Sequence, residues 1–110
     1  MEQRKNLRFN VQFRSSFSSI GMVGGEGTIM DLSVRGCRIE SPTDVQPGAS
    51  LRVVITAIEH EPPIQIQHAL VRWSRARQFG VEFVTMAPEE WARLQRTVKQ
   101  IEMEPYERDK

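Results

Sequence analysis

From Leu7 to Phe83 the chain alternates apolar and polar residues in short runs of period two, and at Pro88 the period becomes helical. That switch constrains the fold more than any other feature. Leu7, Phe9, Val11 and Phe13 alternate with Arg8, Asn10, Gln12 and Arg14, the pattern of a strand with one buried face. β-Branched and apolar residues resume from Thr28 to Leu32. Cys37 and Ile39, then Leu51, Val53, Ile55 and Ala57, then Phe79, Val81 and Phe83 continue the alternation. Ile64 and Ile66 change phase to Ala69, Val71 and Trp73, which predicts a bulge near Gln67-His68.

The intervening stretches read as connections. Ser15 to Gly27 is rich in Ser and Gly around Ile20, Met22 and Val23, a long pliable link with at most a partial pairing near Phe17. Pro42 to Ser50 is a loop with a Pro47-Gly48 turn, Pro62-Pro63 closes the strand before it, and Ser74 to Arg77 is a polar turn. Pro88 suits a first helical position and Glu89 and Glu90 suit the first turn. Trp91, Leu94, Val98 and Ile101 share one face, Arg93, Arg96 and Lys99 point outward, and Pro105 marks the end. Trp73 and Trp91 are expected as core and helix-packing residues, with half exposure left open for either.

The expectation is an all-β fold, a six-stranded antiparallel β-barrel with a C-terminal α-helix. Closure removes the open edges that a short sheet would expose. Residues 1–7 form a flexible basic arm, 8–103 the barrel with its helix, and 104–110 a tail. A chain of 110 residues has room for one modest core. Its single cysteine, Cys37, excludes an internal disulfide and falls on an apolar face. No apolar run matches a membrane span and the charged start lacks the apolar stretch of a signal peptide, so cytoplasm is the expected location.

Charge and ligand chemistry narrow the function. A net charge of +1 is too small for a bulk nucleic-acid binder. His60 and His68, the two histidines, fall in no recognised metal spacing, so neither enzyme chemistry nor a metal or other cofactor is expected. What remains is local: Arg4, Lys5 and Arg8 near the start, and Asp31-Leu32-Ser33-Val34-Arg35-Gly36 leading out of a strand. Guanidinium groups can grip the O6 and N7 edge of guanine, stack on its face, or clamp phosphate oxygens. An ionised carboxylate only accepts hydrogen bonds and matches the paired N1–H and amino donors of guanine. The same Asp31 could instead cap backbone N–H groups in an Asx-type turn. Gly36 allows a positive φ or the close approach of a flat ring.

An Arg-Lys-x-x-Arg segment followed by Asp-x-Ser-x-x-Gly after a strand resembles the signature of the PilZ domain. The likeness continues through Gly48, Gly80-Val81-Glu82-Phe83 and Pro88-Glu89-Glu90, and covers Arg4 to about Ile101. The resemblance implies a PilZ-like six-stranded barrel that binds cyclic di-GMP, as one molecule or an intercalated dimer. It implies Arg4, Lys5, Arg8, Asp31, Ser33 and Gly36 as ligand residues, with Gln3, Arg35, Arg38 and Gly80 assisting. The signal would pass to an unknown effector protein when the arm orders on the ligand. Two rival readings are a ligand-independent PilZ-type adaptor and a small-barrel RNA binder. The second would need aromatic platforms on the sheet surface, whereas Phe9, Phe13, Phe79 and Phe83 share faces with core residues.

Overall fold

Six strands, most of them burying the apolar face that their alternation prescribes, close into an antiparallel barrel in the order β1-β2-β3-β6-β5-β4. The computed structural model describes residues 8–19, 22–57 and 61–108. Gln3, Arg4, Lys5 and His60 lie outside the described residues. The elements are β1 (Phe9–Ser19), β2 (Met22–Leu32), β3 (Gly36–Glu40), β4 (Ser50–Thr56), β5 (Ile64–Arg75), β6 (Gln78–Thr85) and α1 (Pro88–Arg108). Closure is made by β1 against β4, with Ser15 opposite Ile55 and Phe17 opposite Val53. The interior holds Ile29, Leu32, Ile39, Val53, Ile55, Ile66, Val71 and Phe79, all buried. Each such aliphatic or aromatic side chain contributes roughly 1.5–3 kcal/mol on leaving water. Phe17 meets Phe79 edge to face with ring centroids 5.2 Å apart, tying β1 to β6 across the barrel.

The stretch from Ser15 to Gly27 is not a pliable link. It forms most of a long β1–β2 hairpin in which Ser15 pairs with Gly27 and Phe17 with Gly25. Ser15 takes an inward position in the alternation, and a small buried hydroxyl there breaks the apolar pattern without breaking the strand. The glycines provide space. A Cβ on Gly25 would stand 2.8 Å from the Phe17 ring, and one on Gly27 would stand 2.5 Å from the Glu40 carbonyl oxygen.

The expected bulge is present. Leu51 pairs with Ala69 but Val53 pairs with Ile66, which leaves one extra residue on β5 at Gln67-His68. Among the register shifts not visible in the sequence pattern are a bulge in β2 at Met30 and one in β5 at Arg72. Pro47-Gly48 turns as expected, with Gly48 at φ +91°.

Helix α1 buries Leu94, Thr97 and Val98 against the barrel. The Ala87 carbonyl accepts the Glu90 and Trp91 N–H groups and starts the helix. Arg93 does not point outward. It is half-buried and donates to the Pro62 and Pro63 carbonyls and, at 2.9 Å, to Glu90 Oε1. Glu90 Oε1 also accepts the Gln65 N–H at 3.0 Å, so the first turn is fastened to the start of β5. The helix runs through Pro105 to Arg108; proline removes one donor but does not stop the final turn. Among the described residues no helix is long and apolar enough to cross a membrane.

Candidate ligand-binding cavity

Asp31 owes its position to the bulge at Met30. Ile29 points inward, so strict alternation would send Asp31 inward as well; the extra residue restores the inward phase at Leu32 and turns Asp31 out. There it stands opposite Arg38 on β3 and Asn10 on β1. Its side chain is 15% exposed, with one oxygen given to each of two arginines. Oδ1 accepts from Arg8 Nη1 at 2.6 Å and Oδ2 accepts from Arg38 Nε at 2.9 Å. Arg38 Nη1 continues to Gln78 Oε1 at 3.0 Å. Asp31 therefore does not make the Asx-type cap; guanidinium groups occupy both oxygens.

Ser33 does the turn chemistry instead. Its Oγ accepts the Arg35 N–H at 3.1 Å and the Gly36 N–H at 3.2 Å, and the Ser33 N–H donates to the Gly36 carbonyl at 2.9 Å. The residue is 2% exposed, so the hydroxyl holds Arg35 and Gly36 in place rather than facing solvent. Gly36 adopts no positive φ. A Cβ there would collide with the Val81 carbonyl of β6, so the glycine lets two strands come together.

Beside this turn lies a cavity of about 390 Å³. Arg8, Arg35 and Gly36 form one wall, and Arg72, Trp73, Gly80, Val81 and Glu82 the other. Three guanidinium groups face it against one carboxylate, and that carboxylate, Glu82, is paired with Arg72 Nε at 2.9 Å. Trp73 is not a core residue. The bulge at Arg72 sets it opposite Gly80 on the outer surface, 38% exposed, where a Cβ on Gly80 would strike the indole. Trp91 is likewise exposed by more than a third. The arrangement offers a cationic rim and an aromatic face, which suits a planar base carried on an anion.

The structure thus brings Arg8, Arg35, Gly36 and Gly80 to one cavity and places Asp31, Ser33 and Arg38 directly behind it. Arg72, Trp73 and Glu82 were not anticipated. The clue available in sequence was a tryptophan facing a glycine across a short hairpin. Beneath the site, burial pushes the Cys37 thiol well above its ordinary range, the nearby Asp31 charge adds to the rise and Arg8 opposes it. His68 Nε2 lies 2.8 Å from Ser50 Oγ, and among the described residues no cluster of His, Cys, Asp or Glu could hold a metal ion. A larger cavity of about 590 Å³ separates α1 from the segment between β4 and β5. Its lining carries Arg96 and Lys99 and, among the described residues, no aromatic side chain.

Fold and cavity together define a small closed barrel with a cationic, aromatic hollow on its outer wall. The PilZ domain model matches residues 2–100, and the chain belongs to that family. PilZ domains are receptor and adaptor modules without catalysis. Among solved structures the chain is similar to the PilZ domain of YcgR from Escherichia coli with c-di-GMP, at 15% identity and TM-score 0.78 over 98% of each chain. It is also similar to YcgR in complex with c-di-GMP from the same organism, at 16% identity and TM-score 0.80 over 98% of this chain and 50% of that one. A third relative in fold is the Bacillus subtilis inhibitor of motility MotI/DgrA, at 19% identity and TM-score 0.69 over 91% of this chain and 51% of that one. The chain spans about half the length of those last two proteins. No curated protein matches it.

Proposed function

We propose that this domain binds cyclic di-GMP in the Arg8–Trp73 cavity and presents the bound state to a partner protein. The observation that carries the reading is the convergence of Arg8, Arg35 and Arg72 with the Trp73 indole around one opening, with Asp31 immediately behind Arg8. A guanine stacks on Trp73 and offers its N1–H and amino donors to Asp31, while guanidinium groups take N7, O6 and the phosphates. Ser33 and Gly36 shape the turn that presents Arg35.

Residues 1–7 act as the arm in this reading. Arg4 precedes Arg8 by four residues, a reach of at most about 14 Å. Arg4 and Lys5 can therefore meet the phosphates of a ligand whose base lies by Arg8. Fixing that segment costs about 1–2 kcal/mol per residue, which charge-assisted bonds and stacking offset. The covered rim is the surface a partner reads, and the cytoplasm is the proposed location.

Calorimetric titration tests this. Saturable binding of cyclic di-GMP is expected, with GTP and single-stranded RNA giving little heat. The same curve reads the stoichiometry, one molecule or an intercalated pair. A folded protein that takes up no cyclic di-GMP sinks the proposal in favour of a ligand-independent adaptor.

A further inference from the structure

We propose that Arg38 is the positioning residue that sets Asp31 for guanine, and that Gln78 holds Arg38 to this task from the start of β6. The inference rests on the cavity taking cyclic di-GMP and deepens that reading by naming what makes the site selective for the base.

The two arginines on Asp31 are not equivalent. Arg8 precedes β1, and its side chain is 52% exposed, so it can leave Oδ1 for a phosphate or a base edge at little cost. Arg38 sits in the middle of β3, between β2 and β6, with its side chain held at both ends: Nε on Asp31 Oδ2 and Nη1 on Gln78 Oε1. It does not line the cavity. A neutral amide at residue 78 accepts from the guanidinium without competing with Asp31 as a second carboxylate would.

Ligand entry then exchanges one partner of Asp31 and keeps the other. Arg8 releases Oδ1, and the guanine N1–H and amino groups take the vacated lone pairs. Arg38 retains Oδ2 and fixes the rotation of the carboxylate, which still has lone pairs to spare. Without Arg38 the carboxylate is free to turn and follow Arg8, and the paired acceptor geometry is lost. The phosphate contacts do not pass through Arg38. Its removal is therefore expected to reduce discrimination between bases more than attraction for the phosphates.

The experiment compares cyclic di-GMP with cyclic di-AMP by calorimetry on the full chain. Adenine offers an acceptor where guanine has N1–H, while the phosphates are the same. Arg38→Ala is expected to weaken cyclic di-GMP about tenfold, the scale of one charge-assisted hydrogen bond, and to leave cyclic di-AMP unchanged. Arg38→Lys restores part of the selectivity, and Gln78→Ala loses a few-fold of it while sparing the ion pair in sequence. In an Asp31→Ala background, Arg38→Ala should have no further effect. Equal losses for both nucleotides, or losses that add to those of Asp31→Ala, overturn the proposal, because Arg38 would then act on the ligand directly or through the fold. A wild-type chain that binds neither nucleotide removes the ligand assignment itself. A selective wild type with an unchanged Arg38→Ala variant removes only this inference.

Discussion

Trp73 packs its indole onto the backbone of Gly80, its register partner across the β5–β6 hairpin. The pair converts a bulge at Arg72 into a flat aromatic wall beside three guanidinium groups. Neither residue explains the wall alone. A side chain at residue 80 would push the indole off the strand, and an unbulged β5 would send Trp73 toward the interior.

Gly80→Ala and Trp73→Ala should accordingly weaken cyclic di-GMP by similar amounts. Base stacking on an aromatic side chain is worth about 1–3 kcal/mol, so a loss of roughly tenfold or more is expected from either change. Thermal stability should fall little in Trp73→Ala, since that side chain is substantially exposed. Fluorescence offers a direct check: ligand quenching should vanish in Trp73→Phe and persist in Trp91→Phe. Quenching that follows Trp91 would place the ligand against the helix.

Asp31 and Arg8 should fail in different ways. Asp31→Asn keeps the shape but replaces one acceptor with a donor, which faces the guanine N1–H or amino group with the wrong polarity. A loss of about 1–3 kcal/mol of base discrimination is expected. Arg8→Lys retains the charge but not the planar fork, so it should not restore the affinity lost in Arg8→Ala. Titrations at increasing salt check the charge contribution: wild-type affinity should decline with ionic strength, and less steeply in Arg8→Ala.

What the sequence made legible, and what it hid, follows from the range over which each feature is determined. Alternation at Leu51-Val53-Ile55 and at Phe79-Val81 is local, and those strands form where the pattern places them. The bulge at Gln67-His68 was legible because the apolar phase changes there within β5 itself. Ser15 misled because a small inward hydroxyl interrupts an apolar count, and Gly25 and Gly27 misled because space for Phe17 and Glu40 looks in sequence like flexibility. The motif residues were legible as chemistry, and Asp31 turning away from Leu32 followed from their adjacency. The slip at Met30 against β3 that reconciles this with an inward Ile29, and the slip at Arg72 against β6 that turns Trp73 out, were not legible. Cross-strand register is a property of two segments, and neither carries it alone.

Gly36→Ala should damage the fold before it damages the ligand contacts. The added methyl meets the Val81 carbonyl in the β3–β6 pair, where backbone cannot yield as a side chain tip would. Overpacking of this kind costs about 1–3 kcal/mol. In urea the midpoint should fall with an unchanged slope, the mark of lost stability without a change in the surface exposed. A midpoint equal to wild type would mean that β3 and β6 have slack at this point.

Cys37 predicts how stability depends on pH in the alkaline range. Burial holds its thiol protonated in the folded barrel, with Asp31 adding to the effect. In the unfolded chain the same thiol loses its proton near the ordinary value of about 8.5. Above that pH the folded state binds more protons than the unfolded state, so the free energy of unfolding must fall as pH rises. The full contribution is present below about pH 8.5, and the loss approaches about 1.4 kcal/mol per pH unit above it. Cys37→Ala leaves a small void and should lower stability at every pH, yet its alkaline decline should be shallower than that of wild type. Urea melts at pH 7.5, 8.5 and 9.5 would measure the two slopes, and parallel slopes would show that the buried thiol ionises as easily folded as unfolded.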